Sequence, residues 1–173
     1  MRWRPTSLSC FWTTLKGSAY ALIVAQTLTK LLIHIVFSTR NREPLISLEI
    51  EPDLFAYIGG ICRGNDSVLL AAGGAADHVH LLVSASKNIP LTQLLQEIKR
   101  DSSAWMKRQP SVGSEFSWQD GYGAFSIGES HITAMRAYFA KQREHHRTES
   151  FQDEFRALLR KYSIEFDERY VWG

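Results

Sequence analysis

The chain has 173 residues, 45% of them apolar and 22% charged, with a formal net charge of +2. These values fit one globular domain with a real core and exclude a transmembrane helix, because no uncharged apolar run reaches the roughly 18 residues one needs. The small net charge neither demands nor excludes nucleic acid, since a local basic surface can hide within it.

Residues 1–26 run from basic to Ser/Thr-rich to briefly apolar, loosely like a signal peptide. The apolar piece is broken by Lys30 and continues into a good strand, so cleavage there would damage the domain. The expectation is a dispensable or partly ordered extension over 1–26 and one domain over 27–173. Cys10 and Cys62 show no CxxC spacing, which argues against a cysteine zinc site and for a reduced intracellular protein.

"KLLIHIVFSTR" (30–40) is apolar and β-branched and reads as the first strand. After "NREP", residues 45–64 show helical spacing, with Leu48, Phe55, Ile58 and Ile61 on one face and Pro52 in the first turn. "SVLLAAGGAADHVHLLVSAS" (67–86) reads as a hairpin turning at "GGAAD". Pro90 opens an amphipathic helix carrying Leu91, Leu94, Leu95, Ile98 and Trp105. A glycine-spaced loop over 110–130 ends in the short strand "AFSIG". Helices follow over 129–147 and 150–164, the second opened by the cap pair Ser150 and Asp153, before an aromatic tail that packs back.

The order βαββαβ followed by two helices is the ferredoxin-like, RRM-like plan of an α+β domain. One sheet face is covered by helices, and the other is free for a site.

On a strand, residues i and i+2 share a face about 6.7 Å apart. His78 and His80 therefore point together, away from Val79 and Leu81, and can converge on one divalent metal. The alternative is two polar residues on a solvated sheet face. Tyr138 and Gln142, at i and i+4, share one face of the penultimate helix. Taken alone, a helical tyrosine is packing and a glutamine is surface. Taken with the histidines, they supply a chemistry. Two neutral imidazoles leave a bound ion a strong Lewis acid, a glutamine carbonyl suits as a third ligand, and a tyrosine hydroxyl can attack phosphorus. A covalent phosphotyrosine conserves bond energy and suits breakage followed by rejoining.

The motifs "HIVFSTRNREPLI", "AAGGAADHVHLLVS", "QEIKRDSSAWMK", "WQDGYGAFSIGES" and "MRAYFAKQREHH", in this order, resemble the single-tyrosine HUH transposases of bacterial insertion sequences and the related REP-associated tyrosine transposases. The resemblance covers roughly residues 28–172 and leaves out the N-terminal extension. It implies that His78 and His80 are the HUH pair, Tyr138 the nucleophile and Gln142 the third metal ligand. It further implies Mg²⁺ or Mn²⁺ as cofactor, hairpin-bearing single-stranded DNA as substrate, and a 5′-phosphotyrosine intermediate with a free 3′-OH. A homodimer in which one subunit's tyrosine helix can serve the other's histidines, no membrane partner, and a bacterial cytoplasmic location at the nucleoid also follow from it.

His34, His131, His145 and His146 read as structural or solvated, although His145 could approach Tyr138. Asp77 reads as a turn residue. Candidate phosphate contacts are Arg40, Arg42, Lys99, Arg100, Lys141 and Arg143, and Trp118 and Tyr122 are candidates for stacking unpaired bases. Other readings of the chain are a domesticated relative with the same chemistry, a non-catalytic nucleic-acid-binding module, and a small-phosphate metallohydrolase. The module would lack an RNP-type aromatic pattern. The hydrolase would leave Tyr138 without a role.

Overall fold

The computed structural model describes residues 27–172. The extension expected over 1–26, with Cys10, lies outside the described residues. No helix among the described residues is long and apolar enough to cross a membrane.

Four strands, β1 (Leu31–Ser38), β2 (Val68–Gly74), β3 (His78–Ala85) and β4 (Gly123–Ser126), form one antiparallel sheet in the order β2-β3-β1-β4. Helix α1 (Glu51–Gly64) links β1 to β2, and α2 (Leu91–Met106) links β3 to β4. This is the βαββαβ arrangement read from the sequence.

Strand alternation sorts the side chains. Ile35, Phe37, Val79, Leu81 and Val83 pack with Leu54, Ile58, Leu94, Leu95 and Ile98 in the main core under α1 and α2. Helix α1 starts later than the apolar spacing suggests. Leu48 lies before it and is 69% exposed, and Leu54, Ile58 and Cys62 line its buried face.

The second sheet face is not free. Helix α5 (Phe151–Lys161) lays Phe151, Phe155 and Leu159 on Val36 and Phe125, giving a second, smaller core. The cause is the apolar stripe of α5 at i, i+4 and i+8, which needs a partner surface. The expected Ser150 cap forms: Asp153 N–H donates to Ser150 Oγ at 3.2 Å, and the hydroxyl donates back to the Asp153 carboxylate. The domain thus has three layers, and the histidine face lies inside.

The single helix expected over 129–147 is broken. A 3₁₀ turn over Glu129–His131 leads into α3 (Ile132–Ala140), Lys141 leaves helical geometry at φ −104°, and α4 (Gln142–His145) resumes. The break turns Gln142 inward, where it is buried.

Candidate metal centre and tyrosine site

His78 and His80 project from β3 toward the α5 side, and both side chains are fully buried. Each ring is held through Nδ1. For His78 the partner is Asp77 Oδ1 at 2.7 Å, and for His80 it is His34 Nε2 at 2.9 Å. His34 reaches His80 because the register pairs Val36 with His80, which makes them diagonal neighbours on one face. Burial and the nearby His80 push the His34 pKa down to about 2, so its ring is neutral and Nε2 can accept the His80 proton. Burial, and then His78, hold His80 well below the ordinary imidazole range. Burial works against ionisation of Asp77 and is the largest single effect, but the hydrogen bond and charge of His78, with a backbone hydrogen bond and His146, together outweigh it and hold the carboxyl below its usual value. The Asp77 carboxylate fixes Nδ1–H on His78 and leaves its Nε2 a lone pair, and His80 gains the same state when His34 Nε2 is the acceptor; this is the state a metal ligand requires.

The C-terminal helices bring three more groups to this point. His146 Nδ1 donates to the Glu149 carbonyl at 2.9 Å, so its Nε2 also carries a lone pair. Glu154 Oε2 stands 3.0 Å from His146 Nε2 and 3.4 Å from His80 Nε2. Gln142 Nε2 donates to Glu154 Oε1 at 3.0 Å. One ligand atom each from His78, His80, His146 and Glu154 lie within 4.8 Å of one another. Burial raises the Glu154 pKa to about 7, while burial and then His78 lower that of His146 to about 4.

Among the described residues, the buried side-chain atoms without a hydrogen-bond partner are His78 Nε2, His80 Nε2, Gln142 Oε1, His146 Nε2 and Glu154 Oε2. All five belong to this one cluster. Buried polar atoms are normally satisfied. Four of these, from His78, His80, His146 and Glu154, converge within 4.8 Å, and such a convergence of buried electron-pair donors fits a bound cation.

Tyr138 on α3 is half-buried, its ring edge-on to His80 with centroids 5.8 Å apart. It lines a cavity of about 180 Å³ with His145, Glu154 and Lys161. His145 in turn meets Glu149 at 2.9 Å. The end of α3 sits directly on β2, and Phe139 is buried beside His34 and His80. Tyr138 therefore lies beside His80 within the one chain.

The predicted DNA contacts divide. Arg40, Arg42, Lys141 and Tyr122 are exposed, as is Arg100, which pairs with its neighbour Asp101. Three others serve inside the protein. The Lys99 ammonium donates to the carbonyls of Gln119, Asp120 and Gly121, pinning the loop before β4. Arg143 clamps Glu51 and the Ile46 carbonyl, tying α4 to the start of α1. Trp118 is buried, edge-on to Phe37 and Phe116, and its indole N–H donates to Ser102 Oγ at 2.9 Å, so it is no exposed stacking platform. A larger cleft of about 600 Å³, between α2 and the segment Ser117–Tyr122, holds none of the clustered donors.

His34, Asp77, His146 and Glu154 belong to the site although sequence reasoning left them aside. A signal existed for two of them. Tyr138, Gln142 and His146 repeat at four-residue spacing, and Glu154 interrupts the apolar stripe of α5.

Comparison with known proteins gives the family and the fold. The family model described as "Transposase IS200 like" matches residues 27–142. Among solved structures, a candidate transposase from Deinococcus radiodurans R1 superposes with a TM-score of 0.52 at 23% identity, over 75% of this chain and 98% of that one. A REP-associated tyrosine transposase bound to a REP hairpin superposes with a TM-score of 0.50 at 14% identity, over 68% of this chain and 70% of that one. At these identities both likenesses speak to the fold alone. No curated protein matches. The family match spans well over half of the sequence, from the first described residue through the histidine pair and Tyr138 to Gln142: the chain belongs to the family of IS200-like transposases.

Proposed function

We propose that this transposase cleaves and rejoins single-stranded DNA at hairpin-bearing element ends, with Tyr138 as nucleophile and a divalent ion at His78 and His80. The observation that carries the reading is the placement of Tyr138 against His80, beside five buried lone-pair atoms. Mg²⁺ or Mn²⁺ there, held by the two imidazoles with further donors from the C-terminal helices, would polarise a phosphodiester oxygen and offset transition-state charge.

The chain's own residues do the rest. The Tyr138 hydroxyl attacks phosphorus, the new phosphorus–oxygen bond replaces the bond to the 3′-oxygen, and the phenolic proton leaves to solvent or to that 3′-oxygen. The products are a 5′-phosphotyrosine and a free 3′-OH, and attack by another 3′-OH reverses the step. Asp77 and His34 keep the two imidazoles in the ligating tautomer. Arg40, Arg42, Arg100 and Lys141 offer exposed charge for the DNA backbone, and Tyr122 a face for an unpaired base. A hairpin substrate is in keeping with the REP hairpin bound to the structural relative. The working domain is 27–173, acting in the cytoplasm on nucleoid DNA. Two paired copies would each carry a whole site.

The test is incubation with hairpin-bearing single-stranded DNA and Mn²⁺ or Mg²⁺, followed by a denaturing gel. A covalent protein–DNA adduct absent from Tyr138→Phe supports the mechanism. Strand cleavage that survives this substitution rules it out.

A further inference from the structure

We infer that Glu154 and His146 are themselves metal ligands, completing with His78 and His80 a four-donor centre, and that Gln142 positions the Glu154 carboxylate. The inference rests on the proposed metal site and gives it a composition that the two-histidine motif does not. Both added residues lie beyond residue 142, where the family match ends. They enter through the turn after α4 and through α5, the helix that roofs the histidine face.

Three observations carry it. The ligand atoms of the four residues lie within 4.8 Å of one another, close enough for one ion to bridge them after small adjustment. His146 Nδ1–H is committed to the Glu149 carbonyl, so its Nε2 presents a lone pair in the same way as those of His78 and His80. Glu154 is buried in an otherwise apolar helix face between Phe151, Phe155 and Leu159, where a carboxylate needs a strong partner. Its Oε1 accepts from Gln142 and its Oε2 is unpartnered and faces the imidazoles. Gln142 thus stands to Glu154 as Asp77 stands to His78. A buried anion attracts a divalent ion more strongly than a neutral amide oxygen, which favours Glu154 over Gln142 as the direct ligand.

Three imidazoles and one carboxylate form a nitrogen-rich set, which suits Mn²⁺ and later first-row ions better than Mg²⁺. The N-terminal boundary of α5 also becomes part of the site, since the Ser150 cap fixes where Glu154 points.

Binding is measured without DNA, by titration calorimetry with Mn²⁺ on the whole chain and by the rise in thermal midpoint that Mn²⁺ causes. The within-variant shift reads binding whatever the baseline stability. Glu154→Gln keeps the shape and the Gln142 contact while removing the charge. Expected are one Mn²⁺ per chain, at least a 100-fold weaker affinity in Glu154→Gln and in His146→Ala, and about tenfold in Gln142→Ala, the scale of an outer-shell partner. Mg²⁺ should bind more weakly than Mn²⁺. Wild-type affinity in Glu154→Gln and His146→Ala, together with loss in His78→Ala, overturns this inference and leaves the two-histidine metal reading intact. No Mn²⁺ binding by the wild type overturns both.

Discussion

Gly73 on β2 stands opposite His80 in the sheet register, and the backbone of Phe139 rests on it. A Cβ at position 73 would collide with the Phe139 carbonyl oxygen and lie 2.8 Å from Phe139 Cβ. The missing side chain lets α3 settle on the sheet one strand from the histidines, and this seats Tyr138. Gly73→Ala is therefore expected to cost about 1–3 kcal/mol by overpacking. It should slow adduct formation at least tenfold while leaving Mn²⁺ affinity within about threefold, because the strands themselves do not move. Thermal unfolding, single-turnover cleavage and calorimetry separate these effects. A variant with wild-type cleavage would show that the close approach does not position the tyrosine.

Asp77 is the hydrogen-bond partner that fixes His78 Nδ1. Asp77→Ala should weaken metal binding by 10- to 100-fold, the usual scale for an outer-shell partner, with the fold intact by circular dichroism. Unchanged affinity would reduce Asp77 to a turn residue.

Arg143 and the pair Arg40 and Arg42 should separate in a salt titration of DNA affinity. Removing one cation that binds a phosphate lowers the salt slope by about one. Arg40→Ala and Arg42→Ala should reduce it. Arg143→Ala should leave it unchanged and instead destabilise the protein by roughly 1–2 kcal/mol, since its guanidinium is engaged with Glu51 and Ile46. A reduced slope for Arg143→Ala would return that residue to the DNA path.

Cys62 lies in the main core under α1, and burial pushes its thiol from 9.0 up to about 11. It should resist an aromatic disulfide reagent at pH 8 until the protein unfolds. Between pH 9 and 11 the folded state keeps a proton that the unfolded state has lost, so this group's contribution to stability declines as pH rises through that window. Denaturant midpoints at pH 8 and pH 10.5 check the sign. A Cys62→Ser variant lacks this increment of pH dependence.

The sheet, its helices and the shared face of His78 and His80 were legible because they depend on strand period and apolar spacing, which are local properties. Tyr138 and Gln142 read as a one-turn pair on a single helix face, but the break at Lys141 places them on α3 and α4. Long-range packing was not legible. The stripe Phe151, Phe155 and Leu159 announces a buried helix without naming the surface it covers, so the histidine face read as open. Glu154 and His146 reach the site only after α5 folds over that face. The helix break at Lys141, which turns Gln142 inward, has no proline or glycine to mark it. Lys99, Arg143 and Trp118 read as surface residues because their partners, three loop carbonyls, Glu51 and Ser102, lie far away in sequence or across a turn of structure.

The most direct test of the central claim, that Tyr138 works with the histidines of its own chain, is a mixing experiment. A His78→Ala chain keeps the nucleophile and a Tyr138→Phe chain keeps the metal site. The two are combined, allowed to exchange, and given hairpin-bearing single-stranded DNA with Mn²⁺ beside a wild-type control. The wild type should form the covalent adduct and the mixture should form none. An adduct on the His78→Ala chain in the mixture would contradict the single-chain site.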